Sequence, residues 1–170
     1  MIPLGIDPSL TSSGFCVGDK MFSYNPKTKG VERLIEIRDL MISLIEDESV
    51  DAVVIEGYAF GARNSHAHGL GELGGVLRVA VREADICLVD VPPTLRAKFA
   101  TGRGNASKSE VVSAVSARTG ILFEGRGADD MCDAWLFREM AWAAKGRSKY
   151  EWPKLNLDAL EKIDWTELPF

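Results

Sequence analysis

Residues 52–56 read Ala-Val-Val-Ile-Glu, and this short run limits the fold more than any other segment of the chain. β-Branched residues suit a pleated strand. An apolar run with no polar alternation suits a strand buried on both faces, as in parallel sheets covered by helices. Two further segments share the pattern: residues 2–7 (IPLGID), which also end in an acid, and residues 86–91 (ICLVDV), which Pro92-Pro93 stop. Residues 14–18 and 21–24 flank Asp19-Lys20 and predict a hairpin. Helical spacing of Leu34, Met41, Leu44 and Ile45 predicts a helix over 31–46, and that of Leu70, Leu73, Leu77 and Val81 predicts one over 70–82. The second contains Gly71, Gly74 and Gly75, which cost helix stability and suggest a face that another backbone approaches closely. Ser107-x-x-Glu110 has capping-box spacing and opens a helix over 107–118. Residues 129–144 are apolar nearly all round and predict a largely buried helix. Strands mixed with helices in this order give an α/β sheet domain with an antiparallel hairpin near its start.

A chain of 170 residues is one domain's worth, here expected as a folded unit over 1–146 followed by a C-terminal arm over 147–170. With 46% apolar and 26% charged residues it has the composition of a soluble globular protein. Cys16, Cys87 and Cys132 form no C-x-x-C pair, and reduced thiols in a cytosol are expected. The N-terminus lacks the pattern of a signal peptide, and no segment has the apolar length of a membrane span, so the expected location is the cytoplasm, with no membrane partner. A net charge of −5 argues, taken alone, against a partner rich in phosphate.

The placement of the acids gives that charge a different meaning. Asp7 and Glu56 end apolar strands, at the sheet edge where ligand clefts form in α/β folds. Asp130 and Asp133 are three apart on an otherwise apolar helix, and Asp129 competes with Asp130 for the inward position. Any one of them could be a helix cap or an ion-pair partner. As a set they would be costly to bury without compensation, and convergence on divalent cations resolves that cost. Carboxylate oxygens suit Mg2+ or Mn2+.

Four blocks then stand in a telling order: GIDPSLTSSGF at 5–15, VVIEGYAFGARN at 53–64, ATGRGNASKSEV at 100–111 and DDMCDAWLF at 129–137. A fifth, GLGELGGVL at 69–77, follows the second. Together they resemble the RuvC-type Holliday junction resolvases of the RNase H-like superfamily. The resemblance implies an RNase H-like fold, a five-stranded mixed sheet with helices on both faces. It implies a structure-selective endodeoxyribonuclease that acts as a homodimer on branched DNA, leaving 5'-phosphate and 3'-hydroxyl nicks. It implies two Mg2+ ions per site, with Mn2+ able to substitute, held by Asp7, Glu56, Asp130 and Asp133. It further implies a basic role near the scissile strand for Lys108, with Lys98 and Arg103 in the neighbouring basic stretch, and stacking at the junction centre by Tyr58 or Phe60. A broader branch- or flap-cleaving nuclease and a catalytically silent junction binder are the alternatives.

The initial block also resembles the first phosphate loop of actin-like ATPases, but there is no second Gly-rich adenosine motif and no Walker sequence. Residues 92–118 carry Arg96, Lys98, Arg103, Lys108 and Arg118 against Glu110 alone, a candidate phosphate surface that Arg63, Arg78 and Arg82 could extend. His66 and His68 are expected in an exposed loop, and Cys132 in the core. The four expected ligands account for most of the net charge of −5.

Overall fold

The Ala-Val-Val-Ile run is fully buried, as its composition demands. The structure is a computed structural model and describes residues 1–58 and 66–169. Strands β1 (Pro3–Asp7), β2 (Ser13–Val17), β3 (Lys20–Tyr24), β4 (Ala52–Glu56) and β5 (Cys87–Val91) form one sheet in the order β3-β2-β1-β4-β5. β1, β2 and β3 are joined antiparallel, which is the expected hairpin with one more strand, while β4 runs parallel to β1 and β5 parallel to β4. This is the expected five-stranded mixed sheet.

The alternation of side chains along each strand divides the core into two layers. Leu4, Ile6, Val53 and Ile55 face α1 (Val31–Asp47) and α2 (His66–Glu83), packing with Ile37, Met41, Leu73 and Leu77. Ala52, Val54, Val89 and Val91 face the other way, onto α3 (Pro93–Thr101), α4 (Lys108–Thr119) and α5 (Ala128–Ala144). Helix α5 supplies Cys132, Ala134, Trp135, Leu136, Phe137 and Met140 to this second layer.

Helix α5 lies unusually close to the sheet because two strand residues have no side chain. A Cβ at Gly5 would fall 2.0 Å from the Ala134 carbonyl oxygen, and one at Gly14 would fall 2.0 Å from that of Asp130. Backbone thus rests on backbone where β1 and β2 meet the start of α5.

Two elements differ from expectation. Helix α3 occupies a stretch read only as basic, with Pro93 at its start and Gly102 in left-handed conformation at its end. Pro92-Pro93 therefore ends a strand and opens a helix at once, because proline is pre-set for the first helical turn. His66 and His68 open α2 rather than sitting in a loop. After residue 146 the chain forms α6 (Lys154–Leu157) and a short 3-10 turn (Leu160–Lys162), and it packs into the second core layer. Trp152 packs against Phe99 in a tilted contact with ring centroids 4.2 Å apart, Asn156 donates to the Phe99 carbonyl at 2.6 Å, and Ala159, Leu160 and Leu168 are buried. No described helix is long and apolar enough to cross a membrane.

The close approach of α5 yields a direct expectation. Gly5→Ala should destabilise the protein by about 3 kcal/mol, the upper end of over-packing costs. That corresponds to a fall in Tm of roughly 6–12 °C for a domain of this size. Thermal unfolding followed by circular dichroism checks this, and a Tm unchanged within a degree would show that α5 is not held by that contact.

Candidate active site

The fold gathers the four strand-end and helix acids at one edge of the sheet. Asp7 shares a strand face with Gly5, and Glu56 shares one with Ala52 and Val54; both faces look toward α5. Parallel pairing of Ile6 with Ile55 makes Asp7 and Glu56 neighbours at the ends of β1 and β4. The first turns of α5 then bring Asp130 and Asp133 over that edge, because its Ala134 carbonyl rests against Gly5. The start of a helix favours negative charge, which lowers the cost of the acids there.

Asp7 and Asp133 are buried, while the Asp130 and Glu56 carboxylates remain partly accessible. Asp129 is more exposed and turns to the Lys108 ammonium at 2.9 Å, so Asp130 is the inward member of the pair. No hydrogen bond or ion pair joins the Asp7 carboxylate to another described side chain. Burial, then the nearby charges of Glu56 and Asp130, push its pKa up to about 8, against the pull of Arg96 and Lys108. Glu56 is likewise raised, by burial, and again opposed by Arg96 and Lys108.

Two cations stand among these acids. Arg96 on α3 is buried, pairs with Asp133 and lies 3.9 Å from Glu56 Oε1. Its Nε is buried without a hydrogen-bond partner. Lys108, the first residue of α4, reaches Asp129 and lies 3.8 Å from Asp130 Oδ1. Burial works against its ammonium, but the bond to Asp129 and the charges of Asp7, Asp129 and Asp130 outweigh it and hold the Lys108 pKa above its usual value. Among the described residues, no three Asp, Glu, His or Cys side chains close into a ready coordination shell. The donor chemistry nonetheless fits a hard divalent cation: four carboxylates on three elements, one of them buried with its charge unrelieved by any direct partner.

Ser12 was not singled out from the sequence. Its hydroxyl donates to Asp130 Oδ2 at 2.5 Å and so sets that carboxylate's orientation. The loop bearing it is organised by Ser13, whose hydroxyl donates to the Ser9 carbonyl at 2.7 Å and accepts from the Ser9 amide at 3.0 Å. The signal was present in the serine-rich stretch after Asp7-Pro8.

The basic stretch does not form one surface. Arg96 is inside the acidic cleft, and Lys108 lies above it. Lys98 is half-buried on α3, and Arg103 is exposed but bonded to Glu110 at 2.7 Å. Arg118 packs over Trp152, its guanidinium 5.1 Å from the ring. Arg82 pairs with Glu167 at 2.8 Å. Tyr58 is exposed two residues past Glu56, and Phe60 and Arg63 lie outside the described residues.

A family model described as crossover junction endodeoxyribonuclease RuvC matches residues 3–135. The RuvC of Halothermothrix orenii is 28% identical over 145 residues, covering 79% of this chain and 87% of its own length. That of Parasynechococcus marenigrum is 27% identical over 150 residues, covering 82% and 96%. Among solved structures, Thermus thermophilus RuvC in complex with a Holliday junction substrate gives a TM-score of 0.68 at 24% identity, covering 89% of this chain and 99% of that one. The yeast mitochondrial Holliday junction resolvase Ydc2 gives 0.58 at 16% identity, covering 94% and 80%. The sheet order and the family match agree, and this chain belongs to the RuvC family of crossover junction endodeoxyribonucleases.

Proposed function

We propose that this chain resolves four-way DNA junctions by hydrolysing one phosphodiester in each of two opposed strands, at the edge formed by Asp7, Glu56, Asp130 and Asp133. The observation that carries this reading is the convergence of those four acids from three elements onto one cleft. Asp7, Glu56, Asp130 and Asp133 would together hold two Mg2+ ions; Mn2+ has the same preference for oxygen. When bound, such ions supply an activated water and charge stabilisation at the leaving 3'-oxygen.

The protein's own residues do the positioning. Ser12 fixes the Asp130 carboxylate. Lys108 is mounted at the start of α4, where the Ser107–Glu110 capping box secures the helix terminus. Its ammonium overlooks the cleft and is suited to holding a scissile phosphate and to stabilising charge that develops on it. Arg96 neutralises Asp133 and Glu56 within the cleft, so the acids can be packed together before DNA arrives. The small net negative charge is then compatible with DNA binding, because most of it lies at the cation site.

A homodimer supplies the second cut. A four-way junction has two-fold symmetry, and two copies related by a two-fold axis present identical sites to opposed strands. The outer face of α2 suits this role. Gly71 and Gly75 have open space where a Cβ would be, and Val79, one turn further along the same face, is exposed. Another helix could approach closely along that stripe.

Two outcomes test this. Asp7→Asn should reduce cleavage of a synthetic four-way junction by about 10^3-fold or more while leaving junction binding within a few-fold. Retained cleavage in gel assays with Mg2+ would remove Asp7 from the site. Val79→Glu should shift sedimentation from dimer to monomer and turn paired nicks into single ones; an unchanged dimer would place the interface elsewhere.

A further inference from the structure

Arg78 belongs neither to the acidic cleft nor to the Arg96 and Lys108 cations facing it, yet its guanidinium is almost fully engaged. Nε and Nη2 donate to Asp90 Oδ1 at 2.9 and 2.5 Å. Nη2 also donates to the Glu56 carbonyl at 2.9 Å, and Nη1 to the Gly74 carbonyl at 2.9 Å. The same group lies 4.3 Å from the centre of the Tyr58 ring. One planar cation therefore joins α2, the end of β4, β5 and the aromatic that follows Glu56.

Gly74 makes the arrangement possible. A Cβ there would fall 2.7 Å from Arg78 Nη1 and 3.2 Å from Tyr58 Cε1. The Gly57 amide, between Glu56 and Tyr58, donates to the Val91 carbonyl at 2.8 Å and prolongs the strand pairing past Glu56. Tyr58 is 48% exposed, although a guanidinium packs against its ring. An exposed tyrosine leaving a strand end would ordinarily sample several rotamers. Here a cation fixes it, and Asp90 largely neutralises that cation, which suits Arg78 to holding a ring rather than binding phosphate.

We propose that Arg78 is a positioning residue that clamps Tyr58 as a rigid platform for one unstacked base of the branched substrate. It also ties that platform to the strand end bearing Glu56. The proposal rests on the junction-resolving reading above. It adds that the base platform and the cation site are held in register by a single side chain.

The test uses full-length Asp7→Asn protein, which should bind without cutting, and a four-way junction carrying 2-aminopurine at its centre. The parent should bind and raise the fluorescence as the base unstacks. Adding Tyr58→Ala should weaken binding about tenfold, the scale of one lost base–aromatic stack, and abolish the rise. Arg78→Gln should do nearly the same, and the double variant should be no worse than Tyr58→Ala alone. Asp90→Asn, which keeps the arginine but loosens its anchor, should give an intermediate fluorescence change, and it serves as the readout if Arg78→Gln unfolds by circular dichroism. Full fluorescence in folded Arg78→Gln, or in Asp90→Asn, would overturn the clamp and leave the resolvase reading intact. So would additive losses in the double variant. A parent that neither binds nor unstacks the junction would overturn the resolvase reading, and the clamp with it.

Discussion

The close approach of α5 to β1 and β2 is the constraint on which the site depends. Two of the acids belong to a helix and two to strand ends, and only the distance between those layers decides whether they share a cleft. Gly5 and Gly14 set that distance by letting carbonyl oxygens of α5 reach the strand backbone. With ordinary side chains there, α5 would be held farther from the strands, and Asp130 and Asp133 would be lifted away from Asp7. The second core layer reinforces the seat: Trp135, Phe137 and Met140 anchor the helix, and Trp152 from the C-terminal segment closes over Phe99.

Close packing of acids creates an electrostatic problem, which the fold relieves with cations from neighbouring helices. Arg96 and Lys108 reach the cluster from α3 and α4, and each faces more than one carboxylate. Without them, like charges in a partly buried cleft would oppose the packing that brings them together. Burial and the like charges of Glu56 and Asp130 still hold the Asp7 pKa well above the usual carboxylate range, so the relief at that buried acid is incomplete.

Much of this was legible in the chain itself. The Ala-Val-Val-Ile run implied a doubly covered strand, and strand-end acids with a paired acid on an apolar helix pointed to one cleft. Helix α3 is hard to see in the sequence because Pro92-Pro93 carries two meanings, a strand end and a helix start. Arg96 is hidden with it, since its charge reads as surface until α3 turns it inward. Arg78 likewise reads as a surface cation on a helix. Its partners Glu56 and Asp90 are 22 and 12 residues away in sequence, and only strand pairing brings them together. Ser12 needed the α5 contact before its hydroxyl had anything to orient. Periodicity reports what is buried; it does not report which buried or half-buried polar groups meet.

Helix α2 carries two of the features described above on adjacent faces. Gly75 and Val79 look outward, and Gly74 and Arg78, one residue earlier in each case, look toward Tyr58 and the end of β4. A helix of 18 residues moves as a rod, so it cannot roll or slide on one side and stay still on the other. Whatever seats its outer face therefore also sets the angle of the aromatic ring beyond Glu56. If a second copy of the chain provides that seat, quaternary assembly does more than duplicate a cutting edge: each subunit helps shape the surface with which its neighbour reads DNA.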